Sequence, residues 1–346
     1  MSKRIQSFFQ PIPKKPKVEL ASPDLSQPSN PLNIQHQQEE QEQEEQPPPT
    51  NHQTYPFPIP NLPHHLSKSL TNISTTLNSP KPITNQPHLD LLYFQPLLPP
   101  QTAKTLFHFL RDSLPFYKVQ YTIHRGKTPA KITTPRFTTV FGVDATSTFT
   151  TSTSTSATTL TKTLIDPKTN LPIPKNKYKC NPRPIPPCLD HLRQVIQSVT
   201  RTPTDYYNFI LINYYASNTD SISYHSDDER FLGPNPSIAS LSLGAKRDFL
   251  LKHKPGVEAG SPLKFPLASG DMVVMRGKTQ ANWLHSIPKR AGEGGGRINV
   301  TFRRALVVGG TENYYRYNVG DGGVWRWNDK KGRMVNVDEE EGHGSG

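Results

Sequence analysis

Proline most constrains where this chain can fold. Of its 36 prolines, 19 fall within the first hundred residues, and each fixes a backbone angle and removes a hydrogen-bond donor. The same stretch carries the run Gln37-Gln38-Glu39-Glu40-Gln41-Glu42-Gln43-Glu44-Glu45-Gln46, followed by Pro47-Pro48-Pro49. A segment so poor in apolar side chains cannot bury enough surface to offset its ordering entropy. Residues 1–88 therefore read as a disordered tail. A single core is expected over residues 89–310, with residues 311–346 as a C-terminal extension that ends acidic. The aromatics of that extension, Tyr314, Tyr315, Trp325 and Trp327, suggest that it packs on the domain.

Charge is concentrated on the part expected to fold. Residues 101–310 hold 28 of the 40 Lys/Arg and 13 of the 28 Asp/Glu, a net +15. A field of that sign favours a polyanionic partner, nucleic acid before membrane; a basic surface selected for solubility is the bland alternative. Only Cys180 and Cys188 occur, which excludes a disulfide framework or a four-cysteine zinc site and fits two free thiols in a reducing compartment. No secretory h-region opens the chain, and no apolar run approaches the length of a membrane span. The expectation is a soluble, intracellular monomer.

Periodicity sketches the core. Ala103, Leu106, Phe107 and Leu110 fall at helical spacing within 101–114, before Pro115. A strand is expected at 117–123, another across Pro135-Arg136-Phe137-Thr138-Thr139-Val140-Phe141-Gly142, and a second helix at 189–199. The Ser/Thr-rich stretch 146–163 reads as a flexible insertion. Downstream, strands are expected at 209–215, 237–242, 247–253, 271–275 and 297–304. Many short strands with little helix imply a mainly β (α+β) fold, a double-stranded β-helix or jelly roll with helices packed outside.

Three polar motifs sit among those strands. His225-Ser226-Asp227 follows the apolar run 209–215, and His285 lies 58 positions beyond Asp227. Two imidazoles and a carboxylate on one face of a metal leave the other face open, the arrangement of non-heme Fe(II) oxygenases. A bare H-x-D is weak, since most such tripeptides are surface accidents. Arg297 and Arg303 are six apart, which aims both to one face of a strand together with Asn299; two surface arginines are the alternative in a basic protein. Asp228 and Glu229 extend Asp227 into three consecutive acids. A bound cation would rationalise that cluster, and a solvated acidic turn is the bland reading.

Taken together these segments resemble the AlkB-like 2-oxoglutarate and Fe(II)-dependent dioxygenases, in their eukaryotic DNA-repair demethylase branch. The resemblance covers roughly 89–305. It is carried by Asn208-Phe209-Ile210-Leu211-Ile212-Asn213-x-Tyr215, His225-Ser226-Asp227-Asp228-Glu229, Ile238-Ala239-Ser240-Leu241-Ser242-Leu243-Gly244-Ala245, His285-Ser286-Ile287-Pro288 and Arg297-Ile298-Asn299-Val300-Thr301-Phe302-Arg303. It implies Fe(II) on His225, Asp227 and His285, and 2-oxoglutarate on Asn213, Tyr215, Arg297, Asn299 and Arg303, with O2 as the other co-substrate. Asp228 and Glu229 would face the damaged base. Phe141 would fill the stack left by a flipped base, Tyr178 would help line the base pocket, and Arg136 with Lys246-Arg247 would contact phosphates. The implied activity removes the methyl group of 1-methyladenine or 3-methylcytosine in DNA as formaldehyde, with release of succinate. An RNA demethylase of the same fold and a non-catalytic lesion- or clamp-binding protein are the competing readings.

The extreme N-terminus, Met1-Ser2-Lys3-Arg4-Ile5-Gln6-Ser7-Phe8-Phe9-Gln10-Pro11, has the form of a docking peptide. Ile5, Phe8 and Phe9 would share one side of a helical turn and plug a hydrophobic pocket. The segment 2–11 resembles the PIP box that binds the sliding clamp PCNA, with Ser2 where glutamine is usual. Lys14-Lys15-Pro16-Lys17 looks like a nuclear import signal, so a nuclear protein is expected. Removing residues 1–12 should abolish clamp capture in a pull-down while leaving turnover on oligonucleotides unchanged.

Overall fold

The computed structural model describes residues 47–73, 79–126, 128–152, 161–256, 261–292, 294–307, 314–316 and 323–338. The docking peptide with Ile5, Phe8 and Phe9, the basic segment 14–17, the Gln/Glu run and the centre of the Ser/Thr insertion lie outside these residues. Helices α1 (His64–Thr71), α2 (Pro100–Ser113), α3 (Pro187–Thr200) and the single turn α4 (Thr279–Asn282) are joined by short strands. The first eight strands are β1 (Lys81–Ile83), β2 (Leu91–Phe94), β3 (Phe116–Tyr117), β4 (Gln120–Arg125), β5 (Thr128–Thr133), β6 (Phe137–Gly142), β7 (Thr148–Ser152) and β8 (Thr161–Ile165). Then come β9 (Phe209–Tyr215), β10 (Ile222–His225), β11 (Ile238–Gly244), β12 (Arg247–His253) and β13 (Leu263–Leu267). The last five are β14 (Met272–Met275), β15 (Trp283–Ile287), β16 (Arg297–Arg303), β17 (Val324–Asn328) and β18 (Arg333–Asn336).

Two sheets carry the fold. The major one has the order β1-β2-β14-β11-β16-β9-β6-β3-β17-β18, and the minor one β10-β15-β12-β13. Alternation along the central strands gives the major sheet two unlike sides. Ile210, Ile212 and Tyr214 of β9 and Ile298, Val300 and Phe302 of β16 pack with Leu106 and Leu110 of α2 and Leu189, Leu192 and Ile196 of α3. The other side holds Phe209, Leu211 and Tyr215, and meets Phe249, Leu251, Trp283 and Ile287 of the minor sheet. This is the two-layered β-fold with outer helices expected from the sequence. Both long helices open with proline in the first turn, where its missing N–H costs nothing. Gly142 closes β6 at φ +103°, where a Cβ would sit 2.1 Å from the Asn208 carbonyl oxygen. Only glycine lets the strand end approach that closely.

Three boundaries differ from the sequence expectation. The domain begins well before residue 89: Tyr55, Ile59, Leu62, Leu66, Leu70 and Ile73 are buried in the helix-side core, and α1 packs against α2 and α3. Proline and polar residues dominate this stretch by count, but its few apolar residues all join the helix-side core. The Ser/Thr insertion is bounded by a β7–β8 ladder pairing Thr148 with Ile165 through Ser152 with Thr161. The extension is integral too, since β17 pairs with β3 and carries β18 at the sheet edge. Trp325 packs edge-on against Phe137, and Arg111 lies 3.7 Å from the Trp327 ring centroid. Because Leu70 is fully buried, Leu70→Ala should lower unfolding free energy by about 2–5 kcal/mol in urea titrations. Leu171→Ala, at a site 63% exposed, should change it by less than about 0.5 kcal/mol.

Candidate metal centre

Antiparallel pairing of β10 with β15 places His225 directly across from His285, with ring centroids 4.2 Å apart. Asp227, two residues past the end of β10, turns its carboxylate between them. Its oxygens lie 3.9 Å from His225 Nε2 and 3.9 Å from His285 Nε2, and one candidate ligand atom from each residue falls within 4.8 Å of the others. The Asp227 amide donates to Gln280 Oε1 at 2.9 Å, fixing the turn. His225 Nδ1 donates to the Ser223 carbonyl at 2.9 Å, which leaves Nε2 as the ligand atom. Burial pushes the His285 imidazole down to about 3 against the pull of Asp227. Burial would also raise the Asp227 carboxyl, but Arg303, His285 and His225 outweigh it and hold the carboxyl below its usual range. Neutral imidazole beside ionised carboxylate is the protonation state that a divalent metal requires.

The neighbouring wall comes from β9 and β16, where Arg297 pairs with Tyr215, Asn299 with Asn213 and Arg303 with Phe209. Arg297 is 1% exposed. Its Nη2 donates to Ser242 Oγ at 2.9 Å, while Nε and Nη1 are buried without a hydrogen-bond partner among the described residues. Burial pulls its pKa down to about 10. A guanidinium with two unused donors calls for a planar anion, because each buried unsatisfied group costs about 1–3 kcal/mol. The Tyr215 ring stands 5.4 Å from this guanidinium and 5.8 Å from that of Arg247. Asn213 Oδ1 accepts from Arg136 Nε at 3.0 Å. Asn299 Nδ2 donates to Ser240 Oγ and to the Leu241 carbonyl at 2.9 and 3.0 Å. The chain thus offers three candidate metal ligands and an anion-ready arginine on the same inter-sheet side, a fit to Fe(II) with a dicarboxylate.

Arg303 shares the face of Arg297 but not its surroundings. Its Nη2 donates to Asp227 Oδ1 at 3.1 Å and its Nη1 to the Tyr314 hydroxyl at 3.0 Å, while Nε is buried without a hydrogen-bond partner among the described residues. Asp228 is half-exposed and pairs with Lys254 at 2.6 Å. Burial would raise its carboxyl, but the hydrogen bonds from Lys254 and Ser226 hold it low. Glu229 accepts from the Tyr314 hydroxyl.

Four expected contacts are corrected. Phe141 is fully buried on the helix side, edge-on to Tyr55, because strand alternation gives the inter-sheet side to Val140 instead. It cannot fill a base stack. Tyr178 is buried with its hydroxyl donating to Asp144 and hydrogen-bonded to the Ser147 hydroxyl, so it serves that loop. Arg247 is 1% exposed, and its guanidinium donates to the carbonyls of Ser217, Asp220 and Pro288; of the Lys246-Arg247 pair only Lys246 faces solvent. Arg136 serves Asn213 within the wall. Sequence reasoning missed Ser240 and Ser242, although hydroxyls alternating with apolar residues along a buried strand were a readable signal. Gln280, Lys254 and the hydroxyl of Tyr314 carried none. Replacing Arg297 by lysine keeps the charge and loses the fork, so anaerobic calorimetry should show 2-oxoglutarate binding weakened by about 1.5–3 kcal/mol.

The 2OG-Fe(II) oxygenase superfamily matches residues 90–303 of the chain. The chain is 38% identical over 136 residues to the DNA oxidative demethylase ALKBH2 of Arabidopsis thaliana, covering 33% of this chain and 43% of that protein. It is 39% identical over 134 residues to the Homo sapiens protein of the same name, covering 37% and 50%. Over 103 residues it is 43% identical to the alpha-ketoglutarate-dependent dioxygenase alkB homolog 3 of Mus musculus, covering 28% and 36%. The chain spans half or less of the length of these relatives. With more than half of its length matched and the His225/Asp227/His285 cluster assembled beside Arg303, the chain belongs to the 2OG-Fe(II) oxygenase superfamily, whose name carries both Fe(II) and 2-oxoglutarate.

Proposed function

We propose that the protein is an oxidative demethylase of alkylated bases in DNA, acting on 1-methyladenine and 3-methylcytosine. The carrying observation is the adjacency of two unlike carboxylates, Asp227 buried in the metal cluster and Asp228 half-exposed beside it. Both lesions are positively charged rings, and Asp228 would supply the complementary charge once the lesion takes the place of Lys254 on it. Bound Fe(II) with 2-oxoglutarate and O2 would supply the oxidising power that hydroxylates the methyl group. His225, Asp227 and His285 hold the metal in this reading, and Arg297 receives the far carboxylate of 2-oxoglutarate. Tyr215, Asn213 and Asn299 shape the rest of that wall, while Arg303 keeps an unpartnered Nε for the co-substrate. The hydroxylated product decomposes to formaldehyde and the repaired base, so no nucleophile is required of the protein.

The basic balance of residues 101–310 supports a nucleic-acid substrate, and likeness to DNA oxidative demethylases favours DNA. Residues 2–11 and 14–17 support docking to the sliding clamp and entry to the nucleus, with the protein working as a monomer near replicating DNA. Among the described residues no helix is long and apolar enough to cross a membrane. Mass spectrometry of DNA and RNA oligonucleotides carrying 1-methyladenine or 3-methylcytosine tests the reading. Methyl loss with stoichiometric formaldehyde and succinate is expected on DNA and should vanish in His225→Ala. Turnover confined to RNA would favour an RNA demethylase; none on either, with lesion binding intact, would leave a non-catalytic binder.

A further inference from the structure

We propose that Tyr314 is a positioning residue for the metal centre, supplied by a segment beyond the matched residues 90–303. The inference rests on the reading of His225, Asp227 and His285 as the metal ligands. Tyr314 sits where two acids could compete for one cation. Its hydroxyl accepts from Arg303 Nη1 at 3.0 Å and donates to Glu229 Oε1. The same guanidinium donates through Nη2 to Asp227 Oδ1 at 3.1 Å. Glu229 Oε2 and Arg303 Nε are buried and have no hydrogen-bond partner among the described residues. Glu229 is therefore under-satisfied and near a cation it does not directly pair with. The tyrosine hydroxyl stands between them, satisfies the acid and turns the fork of Arg303 toward Asp227.

The ring gives this arrangement its rigidity. Tyr314 meets Phe209 and Phe231 edge-on at 5.7 and 5.9 Å. The next residue, Tyr315, is 1% exposed, donates to the Gly142 carbonyl at 2.5 Å and accepts the Arg183 amide at 3.0 Å. Arginine keeps several rotatable bonds, whereas a tyrosine in an aromatic cluster has one orientation. Anchored at Nη1, Arg303 presents Nη2 to Asp227 in a single geometry, which fixes the rotation of the carboxylate. Partners behind a metal ligand orient it and tune its affinity. Without the hydroxyl, Arg303 Nη1 loses its acceptor and Glu229 its donor, so the fork is free to turn from Asp227 toward Glu229 and Asp227 loses its fixed orientation.

Co(II) titration of the metal-free full chain, followed by visible absorption, tests this without turnover. Tyr314→Phe keeps the ring and should bind Co(II) roughly tenfold more weakly, at the lower end of what loss of such a partner costs, with its thermal midpoint near that of the parent. Adding Glu229→Gln to Tyr314→Phe removes the competing charge and should restore most of the affinity. Tyr315→Phe loosens the same segment without touching Arg303 and should bind as the parent does. The proposal is overturned if Tyr314→Phe binds like the parent, if Tyr315→Phe weakens binding equally, or if Glu229→Gln gives no rescue. Absence of saturable binding in the parent, or binding unaffected by His225→Ala, would overturn the metal-ligand reading and this proposal with it.

Discussion

Strand β16 lies between β11 and β9, and its alternation is the constraint on which the rest of the molecule depends. Ile298, Val300 and Phe302 point to the helices, while Arg297, Asn299, Thr301 and Arg303 point to the minor sheet. A slip of one residue in either ladder would drive two guanidiniums into the helix-side core and empty the wall of the site. The hydrophobic side pins the register, and the register places the polar side. Stability and chemistry therefore share one strand without competing for the same residues.

The inter-sheet side is unusual in how much charge it buries. Asp227, Arg297 and Arg303 are all under 5% exposed. Charges so placed persist only when paired or hydrogen-bonded. Arg303 meets this need within the chain, since Asp227 and Tyr314 take two of its donors and raise its pKa despite burial. Arg297 does not, and two of its nitrogens remain for a ligand. The two arginines are alike in sequence spacing and opposite in electrostatic state.

Much of the architecture was legible because apolar periodicity records burial directly. The strands over 209–215 and 247–253 match the observed bounds, and both long helices lie within a residue or two of their expected ends. Residues 47–88 were harder to read, because apolar side chains spread among prolines acquire a common face only once α2 and α3 exist to receive them. The hairpin β7–β8 was hidden by its Ser/Thr content, which signals flexibility when read one residue at a time. Phe141 illustrates the limit for single residues: alternation shows that Val140 and Phe141 face opposite ways, but not which side faces the site.

By itself the sequence determined the candidate ligand types, their order and the face-sharing of Arg297, Asn299 and Arg303, because these follow from local spacing and strand period. It also determined that the chain's positive charge lies in the segment that folds. Only the tertiary structure decided which partner each group meets. Pairing of β10 with β15 closes the 58-residue gap between Asp227 and His285, and the C-terminal segment returns to set Tyr314 between Arg303 and Glu229. Those contacts join residues far apart in the chain. Their geometry arises from sheet order and packing, for which no local pattern holds a record.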